Sequence, residues 1–277
     1  METAAIFAER LASSERDGRI VAELQDRVLW LRIDRAAQHN ALALTMLEGI
    51  ALVLTLAREQ LAAGSEQDWL RLVVITGSGQ QSFAAGGDLV ELDAMRSAAQ
   101  TAEMTRRGMA ALNAVRDFPL PVLAGLNGVA RGGGAELAMA CDWRIAHQGA
   151  GIGFIQGRLN LSPAWGGGTD LFRALGAPRA LALLAEATVL SAADAHAQGL
   201  IERLLPGPAS AFADALADYV AGIAERPPQI LMAHKALALA AQQGADMAAM
   251  QQIEAAQLRK TWVHDDHWRA AAAALSK

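Results

Sequence analysis

The chain is short of several things, and each shortage removes a class of function. Its 277 residues include one cysteine, Cys141, which excludes an internal disulfide and suits a reducing cytoplasm. The apolar residues around Cys141 mark a packed thiol rather than a nucleophile. Positive charge is neither abundant nor clustered. The 24 Lys and Arg face 29 Asp and Glu, for a net charge of −5, whereas a nucleic-acid partner would want a concentrated basic face. Long hydrophobic runs are missing although 53% of the residues are apolar. The most apolar stretch, Ala41 to Ala57, is broken by Glu48 and falls short of the roughly 20 residues that span a bilayer. With Asn40 as its N-cap it reads as a buried helix reaching Leu61, and no membrane partner is expected. Glu2, Glu9 and Arg10 break up the apolar N-terminus, where neither a secretion signal nor a lipidation motif is visible. No glycine loop ends in Gly-Lys-Ser/Thr, against a P-loop. Ser78, Ser82 and Ser162 lack a nucleophile elbow. His39, His147, His196 and His234 are isolated, and His264-Asp265-Asp266-His267 reads as a solvated helix connection rather than a metal cluster.

Glycine, by contrast, is concentrated where it can do chemistry. In Asn127-Gly128-Val129-Ala130-Arg131-Gly132-Gly133-Gly134-Ala135-Glu136, three glycines open an apolar helix, Ala135 to Ala140, with one carboxylate in its first turn. Glycines let a ligand approach the backbone, and the first N–H groups of a helix have no intrahelical partner. Such a helix start offers donors and a positive dipole end to an oxyanion. Glu136 beside it is an acid/base candidate, although the segment reads equally well as a glycine turn with a capping glutamate. A second glycine loop follows the apolar strand Leu72 to Ile75: Gly77-Ser78-Gly79, then Phe83-Ala84-Ala85-Gly86-Gly87-Asp88-Leu89. Two loops of this kind can each give one N–H to a single carbonyl oxygen. Such an oxyanion hole is worth about 3–4 kcal/mol per donor once charge develops.

Strands are also expected at Val28 to Ile33, Val122 to Leu126 and Asp142 to Ala146, with helices at Thr101 to Phe118 and Ala180 to Ala185. This alternation indicates an α/β core. From Ala209 onward the pattern is helical and alanine-rich, broken at Arg226-Pro227-Pro228 and Gln243-Gly244. No internal repeat or disordered linker stands out.

The two glycine segments, in this order, resemble the crotonase (enoyl-CoA hydratase/isomerase) superfamily over nearly the whole chain. Arg35-Ala36-Ala37-Gln38-His39-Asn40-Ala41-Leu42 is similar to the family's Arg-Pro-x-x-x-Asn-Ala-Leu, with alanine for proline. Leu190 to Ala193, Ala195, Gly199-Leu200-Ile201 and Pro206 resemble a later family segment. Pro228 and Lys235 fit the start of its C-terminal helices. The resemblance implies a ββα spiral core over residues 1–208 carrying an acyl-CoA site, and a helical C-terminal region, 209–277, that mediates trimer formation. Homotrimers, or hexamers built from two of them, are the implied assembly. It also implies that Gly87 and Gly133 are the oxyanion-hole residues and Glu136 the catalytic carboxylate. The substrate would be held by Arg35, Ala85, Asp88, Leu89 and Lys235, with coenzyme A as part of the substrate and no separate cofactor or metal.

One position departs from the hydratase pattern. A second glutamate is expected in a segment like Phe-Gly-x-Pro-Glu, four residues after the aromatic. Here the stretch is Phe154-Ile155-Gln156-Gly157-Arg158, and arginine cannot serve as a base. A guanidinium matches a carboxylate with two parallel hydrogen bonds, so an inward Arg158 suggests a substrate with its own carboxylate. An outward Arg158 would pair with an exposed acid. Pro163-Ala164-Trp165-Gly166-Gly167 is similar to the Pro-Ser-Trp-Gly-Gly segment of the ethylmalonyl-CoA/methylmalonyl-CoA decarboxylase branch, and Glu254 and Trp262 also resemble that branch. The branch itself keeps a glutamate where Arg158 stands, and an arginine gripping the departing carboxylate would stabilise the ground state. Trp165 reads as pocket wall. The expectation is therefore an acyl-CoA lyase acting through an enolate and favouring decarboxylation of a malonyl-type thioester. The alternatives are hydration or isomerisation by Glu136 alone, and an acyl-CoA binder without chemistry.

Overall fold

Leu72–Gly77 and Val122–Leu126 are short runs of apolar residues with no helical spacing, and they form the parallel heart of a six-stranded sheet. The computed structural model describes residues 20–63 and 69–276; the N-terminal segment around Glu2, Glu9 and Arg10 lies outside them. In chain order the strands are β1 (Ile20–Gln25), β2 (Val28–Ile33), β3 (Leu72–Gly77), β4 (Ser82–Ala84), β5 (Val122–Leu126), β6 (Val129–Arg131), β7 (Trp143–His147), β8 (Gly151–Gly153), β9 (Leu190–Ser191) and β10 (Arg203–Leu205). The larger sheet runs β1-β2-β3-β5-β7-β10 and the smaller β4-β6-β8-β9. Among the described residues only β1–β2 and β8–β9 pair antiparallel.

The helices are α1 (Leu44–Ala62), α2 (Leu89–Leu92), α3 (Ala98–Arg116), α4 (Gly133–Ala140), α5 (Gly167–Leu175), α6 (Ala177–Glu186), α7 (Ala192–Ala197), α8 (Phe212–Ala224), α9 (Pro228–Gln242), α10 (Met247–Trp262) and α11 (Asp265–Leu275). The chain winds as a spiral. The pairs β3/β4, β5/β6 and β7/β8 each put one strand in the larger sheet, the next in the smaller, and then turn into helix. This is the expected mixed α/β fold with parallel strands and C-terminal helices.

Both faces of the larger sheet are covered at its centre, which is why β3 and β5 are apolar on both sides. Leu29, Leu31, Val73, Ile75 and Ala124 join the main core with α1. Val28, Leu72, Val74, Leu123 and Ile145 face Phe212, Leu216 and Val220 of α8.

Asn40 does not cap the first helix. That helix begins at Leu44, and its N-cap, Ala43, contributes no side-chain bond. Asn40 is instead fully buried, and its amide donates to the carbonyls of Ser78 at 2.9 Å and Ser82 at 2.7 Å while accepting from Arg35 N–H at 3.1 Å. A buried amide needs partners on every side. Here they are loop carbonyls, so Asn40 ties the Arg35 loop to the turn before β4.

Candidate active site

The smaller sheet positions the site. β4, β6 and β8 are parallel neighbours, with Ala84 opposite Ala130 and Arg131 opposite Gly153. The loops leaving their C-terminal ends therefore lie side by side, at the end of a parallel sheet where ligands commonly bind. The first carries Gly86 and Gly87, the second Gly132 and Gly133, the third Gln156.

Glycine is required for that contact. Gly132 has φ 52° and ψ −120°, a conformation that a side chain strongly disfavours. Gly134 lies on the backbone of β4, where an ideal Cβ would fall 2.2 Å from the Ala84 carbonyl oxygen. An ideal Cβ on Gly86 would be 3.8 Å from the Gly133 nitrogen, so the two loops touch. The N–H groups of Gly87 and Gly133 make no hydrogen bond to any described residue. Gly87 is bracketed by bonds from Leu42 N–H to Gly86 O (2.7 Å) and from Asp88 N–H to Leu42 O (2.8 Å). The Gly133 N–H opens α4 and lies at the positive end of its dipole. The buried Trp165 ring lies beside both glycines: an ideal Cβ would meet it at 2.2 Å on Gly133 and 3.4 Å on Gly87.

Glu136, in the first turn of α4, is 2% exposed. Its Oε2 accepts from the backbone N–H of Trp165 at 2.8 Å and of Gly167 at 3.0 Å. Its Oε1 accepts from the Gln156 amide at 3.0 Å and the Ala164 N–H at 3.3 Å. Gly167 makes this possible, because a Cβ there would fall 2.5 Å from both Cα and Cβ of Glu136. Burial pushes the Glu136 carboxyl above the usual range, and the three backbone donors and the Gln156 amide offset part of that rise. It is thus a carboxyl that can take and return a proton nearer neutrality than an exposed one.

Glu136, Gly87 and Gly133 border one cavity of about 210 Å³. Ala85, Leu89 and Trp165 line it as well, so these six expected site residues are brought together. The rest of its wall is mostly apolar, including Leu92, Met104, Ile155, Leu159 and Leu161.

The other expected substrate residues sit elsewhere. Arg158 is exposed and faces away: its Nε donates to the Ala187 carbonyl at 2.7 Å, and it does not line the cavity. The inward arginine is corrected on that geometry. Its partner is a backbone carbonyl, not the exposed acid considered as the alternative. Lys235 is also no free cation. It is buried on α9, and its Nζ holds both oxygens of Asp142, at 2.6 and 2.7 Å, pinning α9 to the start of β7. Arg35 and Asp88 bond each other at 2.5 Å. Asp88 also caps α2 through the N–H groups of Val90 and Glu91. The pair braces the Gly87 loop from behind and does not line the cavity.

Gln156 is the site residue that sequence reasoning passed over. Residues Gln156–Leu159 form a 3₁₀ turn, in which each residue turns about 120°, so Gln156 and Arg158 point in different directions. The available signal was an amide just beyond a short strand, parallel to the one that ends in the glycine triplet. A larger cleft of about 490 Å³ lies elsewhere, bordered by Arg116, Asp142, Arg144 and Asp170. Four of its five charged residues are already paired, Arg116 with Asp170, Arg144 with Glu202 and Asp142 with Lys235; the fifth is Arg173. Cys141 beside it is buried, its thiol pushed up to about 12 by burial, which makes it inert. Among the described residues no group of His, Cys, Asp and Glu is arranged to hold a metal ion, and no helix is long and apolar enough to cross a membrane.

A spiral of β–β–α turns whose glycine loops meet beside one buried glutamate is the architecture of the crotonase fold. The crystal structure of an enoyl-CoA hydratase from Bacillus anthracis superposes with a TM-score of 0.83 at 28% identity, over 93% of this chain and 96% of that one. The sequence model of the enoyl-CoA hydratase/isomerase family matches residues 23–274, and the chain belongs to that family. A crotonyl-CoA hydratase of Syntrophomonas wolfei is 34% identical over 187 residues, 67% of this chain and 68% of that protein. The mitochondrial methylglutaconyl-CoA hydratase of Mus musculus is 33% identical over 178 residues, 64% of this chain and 54% of that protein.

Proposed function

We propose that the chain moves a proton on the acyl chain of an apolar enoyl-CoA thioester, as an enoyl-CoA hydratase or isomerase in which Glu136 is the single working carboxylate. The observation that carries this reading is one buried glutamate beside two unengaged glycine N–H groups in a mostly apolar cavity. The Gly87 and Gly133 N–H groups hold the thioester oxygen as it takes up negative charge. Glu136 removes a proton from the acyl chain and returns it to another carbon, or draws it from a water held at the same oxygen. Related proteins named as hydratases favour the same class.

Decarboxylation of a malonyl-type thioester has lost its support. Arg158 faces away, and among the described residues no Lys or Arg lines the cavity to hold a substrate carboxylate. We also propose self-association through the C-terminal helices, where Leu258, Trp262, Val263 and Trp268 are more than half exposed.

The test is to incubate the protein separately with crotonyl-CoA, a 3-enoyl-CoA and methylmalonyl-CoA and to follow the products by mass spectrometry. Hydration or a shifted double bond supports the proposal. Release of CO₂ from the malonyl thioester alone would overturn it.

A further inference from the structure

The two oxygens of Glu136 are not equivalent. Oε2 is held by two backbone N–H groups, of Trp165 and Gly167, which can only donate. A proton placed on Oε2 would point at two fixed donors. Oε1 has one longer backbone contact, from Ala164, and one side-chain partner, the Gln156 amide. An amide carries donors on one side and an acceptor on the other, and rotation by half a turn exchanges them.

With Nε2 given to the carboxylate, the Gln156 carbonyl oxygen is buried and has no partner among the described residues. A buried acceptor without a donor needs explaining. Here it is the half of the amide that serves the other protonation state. The Gln156 amide packs beside the second glycine loop: an ideal Cβ on Gly132 would lie 3.9 Å from Gln156 Cδ. It therefore stands between the glutamate and the loop that carries Gly133.

We propose that Gln156 is a positioning residue that makes Oε1 the working oxygen of Glu136, donating to it when it is ionised and, after turning over, accepting from it when it carries the proton. This rests on the proton-transfer reading above. In that reading the acyl C–H bond breaks and an O–H bond forms at Oε1, while the electron pair passes to the thioester oxygen held by the glycine loops. Return of the proton to a different carbon reverses the accounting. A second carboxylate in the place of Gln156 would oppose the ionised state by like charge; a neutral amide serves both states.

Among the described residues no other charged side chain lines the cavity beside Glu136. Asp170 of α5 is bound by Arg116 of α3. Arg158 of the 3₁₀ turn is bound to Ala187 O, and Asp88 by Arg35. Arg131 of β6 does not line the cavity.

The experiment follows the Gln156 side-chain NH₂ signal by NMR in glutamine-labelled protein as pH is varied, the signal being identified by its loss in Gln156→Met. The expected result is that this signal moves through the same midpoint as the Glu136 carboxyl carbon, followed in glutamate-labelled protein and identified with Glu136→Gln. In Gln156→Met the Glu136 midpoint should rise by about one pH unit, because the hydrogen bond lost from the ionised carboxylate is stronger than the one lost from the protonated carboxyl and the midpoint moves by their difference. Where the protein turns over an enoyl thioester, kcat should fall in that variant with KM little changed. Gln156→Glu, which can donate only while protonated, should recover part of the turnover on the acidic side and lose it above neutrality. A Gln156 signal indifferent to Glu136 titration, or an unmoved Glu136 midpoint in Gln156→Met, overturns the inference. The NMR readout needs no substrate, so absence of turnover on every thioester would count against the proposed reaction and leave the amide's role to be decided by the titration.

Discussion

At the scale of single residues, the site depends on what glycine omits and what one turn of chain conceals. Gly133 has no room for a Cβ, since Trp165 would lie 2.2 Å away, whereas at Gly87 the intruding atom meets the flexible end of Leu92 at 2.8 Å. Gly133→Ala should therefore cost about 1–3 kcal/mol of stability through overpacking and lower kcat at least tenfold by displacing the Trp165 wall. Gly87→Ala should be milder on both counts. Thermal unfolding and turnover measured on both variants check the order. The two glycine loops and Glu136 were legible because chemistry at a carbonyl needs small residues and a carboxylate at the start of a helix, while the choice of Gly87 and Gly133 within those loops came from resemblance to the family. Arg158 misled because a site position was counted from Phe154, while the 3₁₀ turn decides which residue after Phe154 faces inward. Lys235 misled for a different reason: a lysine and its buried partner, Asp142, lie far apart in sequence, and only folding brings them together.

At the scale of elements, two charged ties hold the loops and helices that frame the cavity. The Arg35 guanidinium, by hydrogen bonding, holds the Asp88 carboxyl below its usual range, and burial opposes it. A depressed carboxyl contributes stability above its unfolded value and loses it as pH falls through the lower folded value. The Gly87 loop should therefore loosen only in acid below the usual aspartate range. Arg35→Met should remove part of this pH dependence and lower kcat/KM at neutral pH, measurable by acid unfolding and steady-state kinetics. The Lys235–Asp142 tie is buried, so Lys235→Met leaves a buried carboxyl without its partner and should cost about 3–5 kcal/mol. Burial already raises Asp142, with Lys235 opposing the rise. A raised carboxyl favours the folded state at low pH, where it is protonated, so the variant's deficit should shrink on acidification; chemical denaturation at pH 8 and pH 5 compares the two. Strand positions were legible at this scale because β3 and β5 are buried on both faces and read as short apolar runs. The start of the first helix was not, because Asn40, which looks like a cap, is claimed by loop carbonyls distant in sequence.

At the scale of the molecule, the spiral follows from repetition. Each β–β–α turn adds a strand to both sheets, and the parallel pairing of β4, β6 and β8 collects three loops at one end. The α/β class was legible from the alternation of strands and helices, and the spiral from resemblance to the family. The meeting of the two glycine loops was expected too; that the third loop brings Gln156 to them was not, because pairing between strands leaves no local trace. The exposed Trp262, Val263 and Trp268 of the C-terminal helices predict self-association. Sedimentation velocity should give a species larger than 29.1 kDa, and a monomer at micromolar concentration would contradict it.

The central claim is that Glu136 exchanges a proton with an acyl-CoA thioester whose oxygen is held by the Gly87 and Gly133 loops. The most direct measurement is deuterium uptake from D₂O into butyryl-CoA and crotonyl-CoA, read by mass spectrometry for the wild type and Glu136→Gln. The account expects enzyme-dependent uptake in the wild type and a loss of about 10²–10⁴-fold in rate in the variant, with thioester binding retained. Equal uptake by both proteins would contradict it, as would thioester binding by the wild type with no exchange above the uncatalysed rate.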